Sequence, residues 1–173
     1  MLELDLEYSC EETYNFDKFL KKIPDGCRED LHIHLNGPGG YTDEMSMYLD
    51  FFDRYEGNVT LVCEYETCSA DSILFLLSNT KKELSSGASC LLHQSSNIHR
   101  SLEYPSLTPI VELQKRSIKI LNEYFSANLR LILDKEDFDF FETGEDLIVA
   151  GEKLRQVTER AEKLFWKKGK SVE

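Results

Sequence analysis

Apolar and polar positions alternate from the first residues. Leu2, Leu4, Leu6 and Tyr8 are separated by acidic side chains, the period of a strand with one buried face. Tyr14, Phe16 or Phe19, and Leu20 then recur at roughly helical spacing over residues 12–22, until Pro24-Asp25-Gly26 supplies turn chemistry. Leu31, Ile33 and Leu35 alternate with His32 and His34, which predicts a second strand. That strand runs into Asn36-Gly37-Pro38-Gly39-Gly40. A helix follows over residues 42–52, with Met45, Tyr48, Leu49 and Phe52 on one face and Asp43 and Glu44 at the positive end of its dipole. Residues 58–63 read as a third strand, 72–80 as a short, almost wholly apolar helix, and 88–93 as a fourth strand.

The second half is organised by a long helix. Residues 98–109 are polar, carry two prolines and read as a loop; residues 110–133 then place Val111, Ile118, Phe125 and Ile132 seven apart, with Leu121 and Leu129 in the same stripe. Such a stripe packs either on its own domain or on another subunit, and spacing favours neither. Residues 134–141 read as a loop. Thr143-Gly144-Glu145-Asp146 resembles a capping box that opens a helix ending near Gly151. Leu154, Val157, Ala161, Leu164 and Phe165 make a final amphipathic helix before the basic tail at residues 167–170.

Strands alternating with helices put the chain in the α/β class, with a mostly parallel sheet and crossover helices. Its 173 residues, 41% of them hydrophobic, suit one domain with a sizeable core. A formal charge of −12 argues against nucleic acid and anionic membranes as partners. The five cysteines form no CxxC pair and read as reduced, mostly buried thiols. The acidic start has neither a basic nor an apolar leader, and no segment approaches bilayer-spanning length, so a cytoplasmic protein is expected.

Candidate chemistry gathers at residues 66–79. Ser72 opens the apolar helix where unpaired backbone N–H groups would stabilise developing negative charge, the usual mounting of a serine nucleophile. The plain alternative is a helix-capping serine. The turn at residues 37–40 could aim backbone N–H groups at an anion or a carbonyl oxygen, although it is neither a phosphate loop nor GxGxxG, and no cofactor is expected. His93 ends an apolar strand beside a polar loop, a suitable place for a general base. His32 and His34 share a strand face, but no third ligand has evident spacing, so they read as ordinary strand residues and no metal is expected. Asp134, Asp137 and Asp139 are loop acids among which spacing does not choose.

The order of these pieces, from residue 31 to 151, resembles the proteolytic subunit of the ATP-dependent Clp protease, within the Clp/crotonase superfamily. The family's strand and Asn-Ser-Pro-Gly-Gly turn resemble residues 31–40. Its Ala-Ala-Ser-Met start of an apolar helix resembles Ala70-Asp71-Ser72-Ile73. Its Ile-His-Gln-Pro resembles Leu92-His93-Gln94-Ser95, and its Asp-x-Phe turn, with an acid a few residues on and then a glycine, resembles Asp139-Phe140-Phe141-Glu142-Thr143, Asp146 and Gly151. The resemblance implies a spiral of β-β-α units as one domain over residues 1–173: a head at 1–109 and 134–151, a handle helix at 110–133, and a C-terminal helix and tail at 152–173. It further implies a serine endopeptidase with Ser72 as nucleophile, His93 as base and Asp139 as orienting acid, and an oxyanion hole from the N–H groups of Gly40 and Ile73. Implied partners are peptides or unfolded proteins, further copies of the chain in heptameric rings or a tetradecamer, and an ATPase unfoldase. Asp71 and Cys68 depart from the family pattern and keep a catalytically inactive ring or scaffold subunit as the alternative; a crotonase-type acyl-CoA enzyme ranks third.

Overall fold

A computed structural model describes residues 1–6, 15–40, 42–95 and 108–166 of the chain. Over these residues it is a mixed α/β protein. The strands are β1 (Leu2–Leu6), β2 (Leu31–Gly37), β3 (Val59–Cys68), β4 (Lys81–Leu84), β5 (Ser89–Leu92) and β6 (Leu147–Ala150). The helices are α1 (Asn15–Lys21), α2 (Thr42–Arg54), α3 (Ala70–Leu77), α4 (Thr108–Ile132), α5 (Lys135–Glu142) and α6 (Gly151–Phe165). The part of the first expected strand and helix at residues 7–14 lies outside the described residues.

All six strands form one sheet, ordered β1-β2-β3-β5-β6, with β4 also paired to β3. Every pairing is parallel except β5 with β6. The long strand β3 is its spine. One edge meets β2; the other meets β4 along Thr60 to Cys63, then β5 along Glu66 to Cys68. The register with β2 breaks between Leu35 and Gly37, where Leu35 lies opposite Cys63 but Gly37 opposite Thr67. That bulge carries the end of β3 up to the glycine turn, as such irregularities commonly do beside functional sites.

The alternation in β2 is realised directly: Leu31, Ile33 and Leu35 are buried, while His32 and His34 look out on the other face. Helix α3 shows the opposite pattern, with all eight residues buried because it packs on β3 and is covered by α2, α4 and α6. A helix this short has little stability of its own. Its stability comes from burying Ile73, Leu74, Phe75, Leu76 and Leu77, each worth about 1.5–3 kcal/mol. In α4 the stripe residues Phe125, Leu129 and Ile132 enter the core and Ile118 and Leu121 are half-buried, while Leu113, Ile120 and Tyr124, off the stripe, are exposed.

Two expectations are corrected, and one strand is added. Residues 135–142 form helix α5, not a loop. The stretch expected as a capped helix before Gly151 is a turn followed by strand β6, whose Leu147 and Val149 point inward and whose Ile148 and Ala150 point outward. Four residues are too few for that alternation to stand out. Strand β4, Lys-Lys-Glu-Leu, was not expected because it is mostly charged; pairing with β3 makes it a strand. No helix among the described residues is long and apolar enough to cross a membrane.

Candidate active site

The site forms where β3 meets α3. Cys68 ends the strand, Ala70 begins the helix, and Ser69 alone makes the turn. Its backbone is held on both sides: the Ser69 N–H donates to the Leu91 carbonyl at 2.8 Å, and its carbonyl accepts from the Ile73 N–H at 3.1 Å. To meet both bonds Ser69 adopts φ 55°, and among the described residues no other non-glycine residue has a positive φ. A left-handed non-glycine residue costs about 1–3 kcal/mol and persists where surrounding structure dictates it, often at functional sites.

This conformation turns the Ser69 hydroxyl away from the helix. It stands at the N-cap, yet makes no capping hydrogen bond. Its Oγ lies instead 2.6 Å from His93 Nε2. Sheet register explains the meeting. Cys68 pairs with Leu91 in parallel, so the next residues along the two strands, Ser69 and then His93, emerge at the same end of the sheet. Leu92 pairs with Leu147 in the antiparallel ladder, which sets His93 opposite Asp146. The other imidazole nitrogen, Nδ1, is 3.9 Å from Asp146 Oδ1. A serine, a histidine and a carboxylate are therefore aligned by three strands.

The expected trio is not assembled. Ser72 is fully buried one turn into α3, and its hydroxyl donates to the Thr67 carbonyl at 2.6 Å. It closes the end of β3 and does not meet His93. Asp139 lies on the exposed face of α5, where it pairs with Lys135. The Ile73 N–H is consumed by the Ser69 carbonyl, so it is not available to an oxyanion. The N–H beside the His93-bonded serine is that of Ala70, among the first of the helix and without an intrahelical partner.

The glycine turn does reach this place. A side chain on Gly39 would put its Cβ 2.4 Å from the Cys68 carbonyl oxygen, 2.7 Å from Ser69 Cβ and 3.0 Å from the Ala70 nitrogen. Gly39 also has φ +85°. Both facts require glycine. Gly40 follows, exposed. Two residues after Ser69, Asp71 is fully buried with neither carboxylate oxygen hydrogen-bonded. A Cβ on Gly37 would come within 2.9 Å of its Oδ2, so the absent side chain makes room for the carboxylate. Burial pushes the Asp71 pKa up to about 7; the Gly39 N–H, facing it short of a full hydrogen bond, pulls the other way, and Glu44 adds to the rise.

Beyond His93 the chain runs alongside the middle of α4. The Asn122 side chain accepts from the Ser95 N–H at 2.9 Å and donates to the Ser95 carbonyl at 3.1 Å. An open cleft of about 550 Å³ lies here, lined by Gln94, Ile118, Asn122, Ser126 and Glu142 among others.

Ser69 was not singled out from the sequence, and Asp146 entered there without a catalytic role. For Ser69 the available signal was its place directly before the apolar helix, in Cys68-Ser69-Ala70; for Asp146 it was the short apolar run that follows. Compared with known proteins, the chain matches no family model, and no curated protein matches it.

Proposed function

We propose that the chain is a serine hydrolase of the Clp peptidase type, with Ser69 as nucleophile, His93 as general base and Asp146 as the group that orients the imidazole. The observation that carries this reading is the 2.6 Å contact between Ser69 Oγ and His93 Nε2, made by a serine that forgoes the helix cap its position offers. In the proposed reaction Ser69 Oγ attacks the substrate carbonyl while its proton passes to His93 Nε2. The resulting oxyanion faces the Ala70 N–H and the glycine turn, and the imidazolium returns the proton to the departing amine. A water activated by the same imidazole then hydrolyses the acyl-enzyme, which regenerates Ser69. Asp146, whose carboxylate stands 3.9 Å from Nδ1, stabilises the imidazolium through its charge.

The resemblance to the Clp family moves with the nucleophile, since Cys68-Ser69-Ala70 now stands for the family's Ala-Ser-Met. The succession of β4 and β5 along one edge of β3, and the long α4, support the superfamily's spiral with a handle. Peptides are the proposed substrates, entering along the cleft beside α4. The exposed Leu113, Ile120 and Tyr124 support a ring partner against that helix. One observation favours the alternative of a non-catalytic ring subunit: an ionised Asp71 beside the turn would oppose an oxyanion.

A serine-reactive fluorophosphonate separates these readings. Wild type and Ser72→Ala are expected to be labelled, and Ser69→Ala and His93→Ala not. Labelling that survives Ser69→Ala would refute the nucleophile, and a folded wild-type protein that takes no label would leave the non-catalytic reading standing.

A further inference from the structure

On the face of the sheet away from the core, β2 presents His32 and His34, and β1 runs beside it with Glu3 opposite His32. Glu3 Oε2 lies 3.1 Å from His32 Nδ1 and 3.0 Å from His34 Nε2. One oxygen thus serves both rings. The second nitrogen of each ring has a carboxylate of its own: His32 Nε2 is 3.3 Å from Glu83 Oε2 on β4, and His34 Nδ1 is 2.8 Å from Glu64 Oε1 on β3. The histidine side chains are 22% and 26% exposed, so an ion can reach them although their orientation is held. We propose that Glu3, His32 and His34 form a binding site for one Zn²⁺-class divalent ion, with Glu64 and Glu83 as the outer carboxylates that orient the two imidazoles.

The donor set, two imidazole nitrogens and a carboxylate oxygen with a position left for water, is one that zinc takes at about 2.0–2.2 Å. Tetrahedral ligands at that distance stand about 3.3 Å from one another. The two Glu3 contacts are already near this value. The ligand atoms of the three residues all lie within 4.8 Å of one another, so an ion would draw the two ring nitrogens closer together. Nitrogen donors disfavour calcium and magnesium, which take oxygen. The outer carboxylates are the more telling feature. A metal-bound histidine characteristically gives its other N–H to a carboxylate or carbonyl, which fixes tautomer and ring plane, and both rings have that partner here, from different strands. The local field also favours a cation, since three carboxylates, those of Glu3, Glu64 and Glu83, stand against the two rings. Lys81 occupies Glu83 Oε1 and leaves Oε2 to His32.

An ion so held would clip the edge strand β1 to β2, with β3 and β4 steadying the clip. Strand β2 continues directly into the glycine turn that packs on Ser69, so the site would also stiffen the approach to that turn. The inference is independent of whether Ser69 is a nucleophile.

The test is titration of the chelator-treated full chain with Zn²⁺ by calorimetry and with Co²⁺ by visible absorption, alongside thermal unfolding. Wild type is expected to bind one equivalent, to give the intense absorption of four-coordinate Co²⁺, and to melt at a higher temperature with Zn²⁺ present. His34→Gln and Glu3→Gln should each weaken binding by about 100-fold or more, and Glu83→Gln, which touches no ion, by about 10- to 100-fold. Circular dichroism establishes that each variant is folded. Absence of saturable binding by wild type overturns the proposal. So does binding that His34→Gln and Glu3→Gln retain, which would place the ion elsewhere, for instance on cysteines.

Discussion

The buried carboxylate of Asp71 makes a quantitative prediction that needs no knowledge of substrate. Replacing it by Asn keeps the shape and removes the titration. In the folded protein the carboxyl has no hydrogen-bond partner and is shut between the glycine turn and the Glu44 side of α2, which raises its pKa from the ordinary 3.8 to about 7. At about 1.36 kcal/mol per unit, ionising it in place costs about 4 kcal/mol relative to the unfolded chain at pH 8. Between pH 3.8 and 7 the folded state keeps a proton that the unfolded state has released. Stability therefore falls as pH rises through that window and is level above it. Integrated from pH 5 to pH 8, the loss is about 2–3 kcal/mol. Asn loses nothing over this range. The unpartnered amide has its own cost, but equally at both pH values, so it cancels. The stability of Asp71→Asn minus that of wild type, from urea unfolding followed by far-ultraviolet circular dichroism, should be about 2–3 kcal/mol more favourable at pH 8 than at pH 5. A difference that does not change with pH, or that changes in the opposite direction, would refute the placement of an unpaired carboxylate beneath the turn.

Lys82 is the cationic counterpart. It is buried and donates to the Ser78 and Thr80 carbonyls at 2.9 and 3.0 Å, and desolvation lowers its pKa to about 7, partly opposed by Glu162. Here the unfolded state holds the extra proton above pH 7, so stability rises with pH; wild type should gain about 2 kcal/mol from this group between pH 7 and 9, and Lys82→Met should lack that gain in the same urea assay. Gly39→Ala forces a Cβ against the Cys68 carbonyl in a left-handed backbone, and should destabilise by about 2 kcal/mol or more while abolishing fluorophosphonate labelling; a fully labelled variant of unchanged stability would contradict that close approach. Asp146→Asn should slow labelling by about 10- to 1,000-fold, less than for a fully buried triad acid because the carboxylate is exposed and 3.9 Å away. Asp139→Asn should leave the labelling rate unchanged; equal slowing in both would remove Asp146 from its assigned position.

Much of the frame was legible from residue pattern alone. The alternation at Leu31, Ile33 and Leu35, the apolar run that begins β3, the stripe of α4 at Phe125, Leu129 and Ile132 and the face of α6 at Leu154, Val157 and Ala161 each report burial along one element, and these residues are buried in the structure. The mixed α/β class follows from their order. The glycine turn and the histidine at the end of β5 were also visible, because a Gly-rich strand end and a polar residue closing an apolar strand are local signals. Strand β4 escaped because its charged residues become a strand only through the edge of β3, and β6 because it is too short to show a period.

Which residues meet was another matter. Ser69 and Ser72 lie three apart at one strand–helix junction, and composition does not distinguish them; one left-handed dihedral at Ser69 sends its hydroxyl to His93, while the helix buries that of Ser72 against Thr67. Asp139 and Asp146 differ in the same way, since only the antiparallel pairing of β5 with β6 sets an acid opposite His93. Glu3 joins His32 and His34 through strand register across a gap in sequence that no spacing rule spans. Hydrophobic pattern along the chain thus determined the elements and their buried faces, because burial is a property each residue carries with it. The tertiary structure alone decided the partnerships, because register and one backbone torsion are set by contacts between segments distant in sequence.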